Sequence, residues 1–395
     1  MKSMKRILAI VLALMFTLTA LASCNSDAGP SKMPSADPSE IVDTTSSDFT
    51  IGINFYSITD SLGSAVYDNL NYIADNIEGV SNQWQVISSY DETAQISDCE
   101  NLIAAGVDAL IFMPISDNVA GKVADMCEEA GVYNILTMRN ITDEDILARV
   151  SEYEYFLGWC TEDSASIAYE IFQCAVEDGC TTSGTIFFDE NAVLAQINEG
   201  YRKGFSEGKI KNVAEYTMSG TTDDLPGTVT NFLSLYPEID CIFTAMASNG
   251  AGEGMLNVLY GDANQNGAKL YCFDSFEGMA EGFEDGVLGA VACGHYADVI
   301  YSYMIALNAL QGNRLSDSMV EVACNYLILS DSEELELYET YIDDRSTGFM
   351  VYDADELKDM LVSNNPDFTL EKLQEIASAF TMDLVKEKVD AFTAG

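Results

Sequence analysis

From Phe49 to about Ser330, short apolar runs alternate with amphipathic stretches, and this rhythm constrains the fold more than any other feature. Thr50 to Phe55 predicts a strand. Val66, Leu70, Ile73 and Ile77 then recur at helical intervals, the stripe of a helix packed on one side. Trp84–Ser88 is the next expected strand, followed by a helix carrying Ile96, Cys99, Leu102 and Ile103. Ala109 to Met113 is continuously apolar, as a parallel strand covered on both faces must be. A helix with Val119, Val123 and Met126 leads to a strand around Ile135 and Leu136.

The pattern then restarts. Strands are expected at Tyr155–Gly158, Thr185–Phe188, Val213–Met218, Cys241–Thr244, Leu270–Phe273 and Ala290–Cys293. Helices are expected at Ser164–Val176, Ala192–Ser206, Leu225–Leu235, Gly250–Tyr260 and Phe276–Glu284. Two successive βαβ series predict an α/β fold of two doubly wound, Rossmann-like lobes with parallel sheets. A ligand of such lobes sits off the carboxyl ends of the strands, here in the crevice between them. Beyond Ser330 the tail reads as helical and acidic, with Leu370, Leu373, Ile376 and Phe380 forming a packing stripe.

The amino-terminal segment sets the compartment. Lys2, Lys5 and Arg6 precede an apolar run, Ile7 to Ala22, that is short for a membrane span. Leu21-Ala22-Ser23-Cys24 has the form of a lipobox, so residues 1–23 read as a lipoprotein signal peptide and Cys24 as the lipidated amino terminus. Two acyl chains would anchor the chain stably. Residues 24–47, rich in Ser, Asp, Pro and Gly, read as a flexible tether. The folded part is expected from Asp48, lipid-anchored at the extracytoplasmic face of the cell membrane.

Charge and cysteine content narrow the function. With 18 basic and 64 acidic side chains, the formal net charge is −46. Such a surface repels nucleic acid and anionic lipid, and neither is expected as a partner. Nine cysteines remain beyond Cys24, an odd number that argues against a complete disulfide framework. Cys241, Cys272, Cys293 and Cys324 lie in apolar runs as small hydrophobes, while Cys174 and Cys180 are close enough in sequence to pair. There is no CxxC and the single histidine is His295, so no structural zinc, metal or cofactor is expected. No Gly-x-Ser-x-Gly elbow or convergent acid pair is evident, so an enzyme is not expected.

Particular segments add a resemblance. Asn101 to Ser116 carries Gly106-Val107-Asp108 before the Ala109 run and Pro114 after it; Asp285-Gly286-Val287-Leu288, Cys272-Phe273-Asp274 and Gly204-Phe205 follow in order. Together they resemble type I periplasmic solute-binding proteins of the ribose/galactose-binding group, over roughly Phe49 to Ser330. The resemblance implies three crossing segments, near Tyr155–Cys160, Val291–Tyr296 and Cys324–Ile328. It puts residues 48–157 and 296–324 in an N-terminal lobe, and 158–295 and 325–330 in a C-terminal lobe. A helix within 296–322 would return to the first lobe, and 331–395 would be a C-terminal extension.

Carried over residue by residue, Tyr56 matches an aromatic and Asp60 and Asp274 match ligand-binding carboxylates, although Asp60 also suits a helix N-cap. An ionised carboxylate accepting from neutral hydroxyls suits polyol recognition. The chain departs from the pattern elsewhere: Leu62 stands where a ring would stack, Tyr201 where an arginine would bind sugar, Ser248-Asn249 for an Asn-Asp pair, Met138 for a polar strand end, and Gly294 for a late amide. Tyr56, Trp159 or Tyr201 would supply the replacement ring. Arg139 would offer a fork of donors or a surface salt bridge, and His295 beside the second crossing would touch ligand or serve structure. The candidate ligand set is Tyr56, Asp60, Arg139, Gln196, Tyr201, Asn249, Asp274 and His295. The resemblance implies a monomeric receptor of an ABC importer that passes a small sugar or polyol to the permease subunits. A sensory subunit presenting ligand to a membrane kinase or chemoreceptor is the alternative.

Overall fold

The computed structural model describes residues 48–189, 195–219, 223–294 and 296–394. The leader, Cys24, the tether and His295 lie outside the described residues. In chain order the strands are β1 (Phe49–Phe55), β2 (Val80–Val86), β3 (Ala109–Phe112), β4 (Tyr133–Thr137), β5 (Phe156–Glu162), β6 (Thr182–Phe188), β7 (Lys211–Met218), β8 (Cys241–Thr244), β9 (Lys269–Phe273), β10 (Leu288–Cys293), β11 (Val320–Cys324) and β12 (Leu327–Leu329). They form two six-stranded sheets, ordered β11-β5-β4-β3-β1-β2 and β12-β10-β9-β8-β6-β7. All pairings are parallel except that of β12, which lies antiparallel on β10. Helices alternate with the strands, so the molecule has the two-lobed architecture of a type I periplasmic binding protein.

The apolar runs become strands because both faces of each sheet are covered. In β3, Ala109 and Ile111 face one core cluster while Leu110 and Phe112 face another, and all four are fully buried. The sheet edge was less legible. β2 begins at Val80 rather than Trp84 because Ser81, Asn82, Gln83 and Gln85 are only half-buried and polar, with no hydrophobic signal. Asn82 instead fastens this edge, its amide donating to Leu70 O at 2.8 Å and its Oδ1 accepting from Tyr303 at 2.8 Å. β5 also runs past the expected change of lobe at 157/158, pairing in the first sheet as far as Glu162.

The chain changes sheet after Glu162, after Cys293, and between Cys324 and Leu327. After the second change, helix Asp298–Leu310 packs beneath β3, β4 and β5 and is buried from Asp298 through Ala309. A helix apolar on every side needs cover on every side. The tail supplies it: Tyr301 and Tyr352 share a hydroxyl contact at 2.7 Å, and Asn308 donates to Met360 O at 2.9 Å. The tail helix Leu370–Ser378 buries Leu373 and braces the third crossing, where Asn325 N donates to Ala377 O and Gln374 bonds Ala323 on both sides of its peptide. The nine described cysteines are free thiols, so Cys174 and Cys180 are not joined.

Candidate functional site

A cavity of about 300 Å³ lies where the carboxyl ends of the two sheets meet the crossing segments, lined by Tyr56, Leu62, Tyr90, Met113, Met138, Arg139, Glu162, Asp274 and Tyr326. Each side chain arrives there for a local reason. Tyr56, Met113 and Met138 are the first residues after β1, β3 and β4, and Tyr90 follows in the loop beyond β2. Glu162 ends β5, Tyr326 bridges β11 and β12, and Asp274 follows β9.

Two of these residues hold matching, strained positions. Met138 and Asp274 have φ of 58° and 71°, left-handed values uncommon for residues with a Cβ. Each directly follows its strand, and each donates its N–H to the next strand, Met138 to Cys160 O at 3.0 Å and Asp274 to Ala292 O at 2.9 Å. Such strain persists where surrounding structure enforces it, and it gathers at ligand sites. Beneath Met138 the buried Asp298 carboxylate accepts the same N–H at 2.7 Å. Burial, and then the neighbouring Glu162 charge, pushes the Asp298 carboxyl well above the usual carboxylate range, opposed by the Met138 and Val299 N–H groups and by Arg139.

Asp60 is the N-cap of helix Ser61–Asn76, accepting from Gly63 N at 2.7 Å, and the same oxygen accepts from Tyr56 at 2.9 Å. The loop is tight here: a Cβ on Gly63 would lie 2.5 Å from Ser57 O. Burial, followed by the bond to Asp60, drives the Tyr56 phenol far above its ordinary value. Asp60 thus positions Tyr56 from the rim. Tyr90 is raised by burial and by Asp60, with Arg139 opposing. Tyr326 is held neutral by burial and by the charges of Glu162, Asp274 and Asp298. Arg139 donates to its neighbour's carbonyl, Met138 O, at 2.7 Å.

The structure therefore brings Tyr56, Arg139 and Asp274 to one cavity, with Asp60 immediately behind Tyr56. It does not bring Gln196, Tyr201 or Asn249. Tyr201 is fully buried, packs 5.2 Å from the Phe243 ring and donates to Thr244 O at 3.1 Å, so it is a core residue of the second lobe. Trp159 is buried in the core of the first lobe and does not line the cavity. Gln196 and Asn249 are exposed, at the starts of helices Gln196–Ser206 and Ala251–Leu259, and neither lines it. Arg202 lies 5.3 Å from the Phe187 ring. Sequence reasoning missed Tyr90, Met113, Glu162 and Tyr326. Glu162 and Tyr326 stood just beyond the first crossing and within the third, so their position was the available signal.

A family model described as a periplasmic binding protein domain matches residues 51–314. A xylitol-binding protein of Mycolicibacterium smegmatis is 24% identical over 254 residues, spanning 61% of this chain and 66% of that protein. A periplasmic ribose ABC transporter protein from Conexibacter woesei superposes with a TM-score of 0.61 at 16% identity, over 75% of this chain and 97% of the other. An ABC transporter solute-binding protein from Bacillus halodurans, with bound myo-inositol, gives 0.55 at 18% identity, over 75% and 98%. Among the described residues, no helix is long and apolar enough to cross a membrane. With the family model spanning most of both lobes, this chain belongs to the periplasmic binding protein domain family.

Proposed function

We propose that this chain is the lipid-anchored, extracytoplasmic receptor of an ABC importer, and that it captures a small sugar or polyol by closing its lobes around it. The observation that carries this reading is the cavity itself, in which carboxylates, one guanidinium and phenols converge from both lobes and the crossings. Asp274 and Glu162 accept from neutral hydroxyls in charge-assisted bonds, and Arg139 donates to hydroxyl oxygens. Tyr56, held by Asp60, offers the ring face on which a sugar or cyclitol lies. Xylitol, ribose and myo-inositol in the names of the similar proteins support a polyhydroxylated cargo. Closure follows when ligand binds the closed form better than the open one, with the crossings absorbing the backbone change. The closed monomer then docks on permease subunits, and acylated Cys24 holds it at the membrane.

Thermal unfolding of the chain from Asp48 onward, against sugars, polyols, nucleosides and amino acids, tests the cargo. A ligand bound only by the native state raises the midpoint with concentration. A shift with a sugar or polyol is the expected result; a shift confined to nucleosides or amino acids overturns the cargo, and silence from ligand-stripped protein overturns the receptor. Cys24→Ser moves the protein from the membrane to the soluble fraction, and a variant that stays membrane-bound excludes the anchor.

A further inference from the structure

At the opposite end of the second sheet, where β6, β8 and β9 begin, Cys180 converges with the neighbouring pair Asp240 and Cys241, 60 residues on from it. The Cys180 and Cys241 sulfurs and an Asp240 carboxylate oxygen all lie within 4.8 Å of one another. We propose that Cys180, Cys241 and Asp240 form a binding site for a divalent cation of the zinc and cadmium class. Two sulfurs and one oxygen are a borderline-to-soft donor set, which selects such ions over calcium or magnesium. Metal–sulfur bonds of about 2.3 Å and metal–oxygen bonds of about 2.0–2.2 Å need only a small inward movement of donors this close.

The surroundings fit a ligand cluster. Asp240 is held by Thr181 N, Thr182 N and the Thr181 hydroxyl at 2.8–3.0 Å. The Thr181 N–H is shared between the two carboxylate oxygens, and together the three donors fix the orientation of the group. Tyr271 places its hydroxyl 3.5 Å from Cys180 Sγ and donates to Asp178 at 2.6 Å, while Lys269 ion-pairs with Asp178 at 2.9 Å. Such an outer chain of phenol and carboxylate holds metal ligands in one orientation. The two S–H groups point to backbone carbonyls, Cys180 to Asp240 O at 3.7 Å and Cys241 to Thr182 O at 3.6 Å.

Binding is redox-neutral. The ion forms two metal–sulfur bonds and one metal–oxygen bond, two S–H bonds break, and two protons leave to solvent. Affinity therefore rises with pH. The bound ion would pin the turn before β6 to the first residue of β8 and stabilise the second lobe from the face away from the cavity.

The test uses the purified full chain carrying Cys24→Ser, phosphine-reduced and chelator-stripped, titrated with cadmium. Expected are a thiolate-to-cadmium charge-transfer band saturating at one ion per chain, a melting point that rises with cadmium, and no response to calcium. Cys180→Ser and Cys241→Ser abolish the band, and Asp240→Asn weakens binding by at least about tenfold, the scale of losing even a supporting partner. Melting without metal checks that each variant folds; should Cys241→Ser fail, Cys180→Ser and Asp240→Asn decide. No band in the parent chain, or a band unchanged in the cysteine variants, overturns the site. Reversible Cys180–Cys241 disulfide formation without cadmium uptake by the reduced protein also overturns it, leaving a redox pair instead.

Discussion

The two lobes share a fold and share the cavity unequally. Among the described residues, the first contributes Tyr56, Leu62, Tyr90, Met113, Met138 and Arg139, whereas the second contributes Asp274 alone, with Glu162 and Tyr326 at the crossings. The wall from the first lobe is a broad, partly apolar surface with one cation. The second lobe adds a single anion on a strained backbone position. Repetition of a fold thus does not imply repetition of chemistry: among the described residues, one lobe lines the cavity broadly, and the other adds one charge.

That asymmetry sets the order of expected effects. Asp274→Asn removes the second lobe's contribution among the described residues while keeping a residue that accepts left-handed φ. Losing a charged acceptor weakens polyol binding by about tenfold to a hundredfold, measured calorimetrically with unchanged melting. Arg139→Met, one of six contributors, costs about tenfold, the lower end of a charged hydrogen bond's worth. A larger loss at Arg139 than at Asp274 would reverse the comparison.

Asp298 sharpens it from below. Its folded-state pKa is raised, so the stability it confers is fully present below the ordinary carboxylate value, about 4, and is lost as pH rises through the folded value. Asp298→Asn keeps an acceptor for Met138 N–H and removes the ionisation. Its melting advantage over the parent should therefore grow from about pH 4 upward, and a difference independent of pH would sink the assignment. The smallest effect on binding is at Tyr201. Tyr201→Phe leaves affinity unchanged and lowers stability by about 1 kcal/mol through loss of a buried hydrogen bond. Weakened binding in that variant would return Tyr201 to the cavity.

Much of the fold was legible because fully covered parallel strands write themselves as apolar runs: β3 and β8 lie almost where the residues alone put them. β2 was misplaced because an edge strand of Ser, Asn and Gln carries no such signal. At the cavity, Tyr56 and Asp274 came from the resemblance, and both stand just past the end of a strand. Tyr201 misled because it stood where the resemblance puts a sugar-binding arginine, and matching a position does not tell whether a ring faces ligand or core. Glu162 and Tyr326 depend on where the chain changes lobe, a boundary fixed by pairing between distant strands. The convergence of Cys180 with Cys241 is of the same non-local kind.

The brace that helix Leu370–Ser378 lays across the third crossing has a mechanical consequence. Ala323 and Asn325 flank the pivot, and both are tied to the tail through Gln374, Ala377 and Ser378. A swing of the lobes must either carry the tail along or break these ties. If the lobes close on ligand as proposed, the tail acts as a pointer geared to the hinge, and a dye fixed to its outer face would register occupancy without touching the cavity.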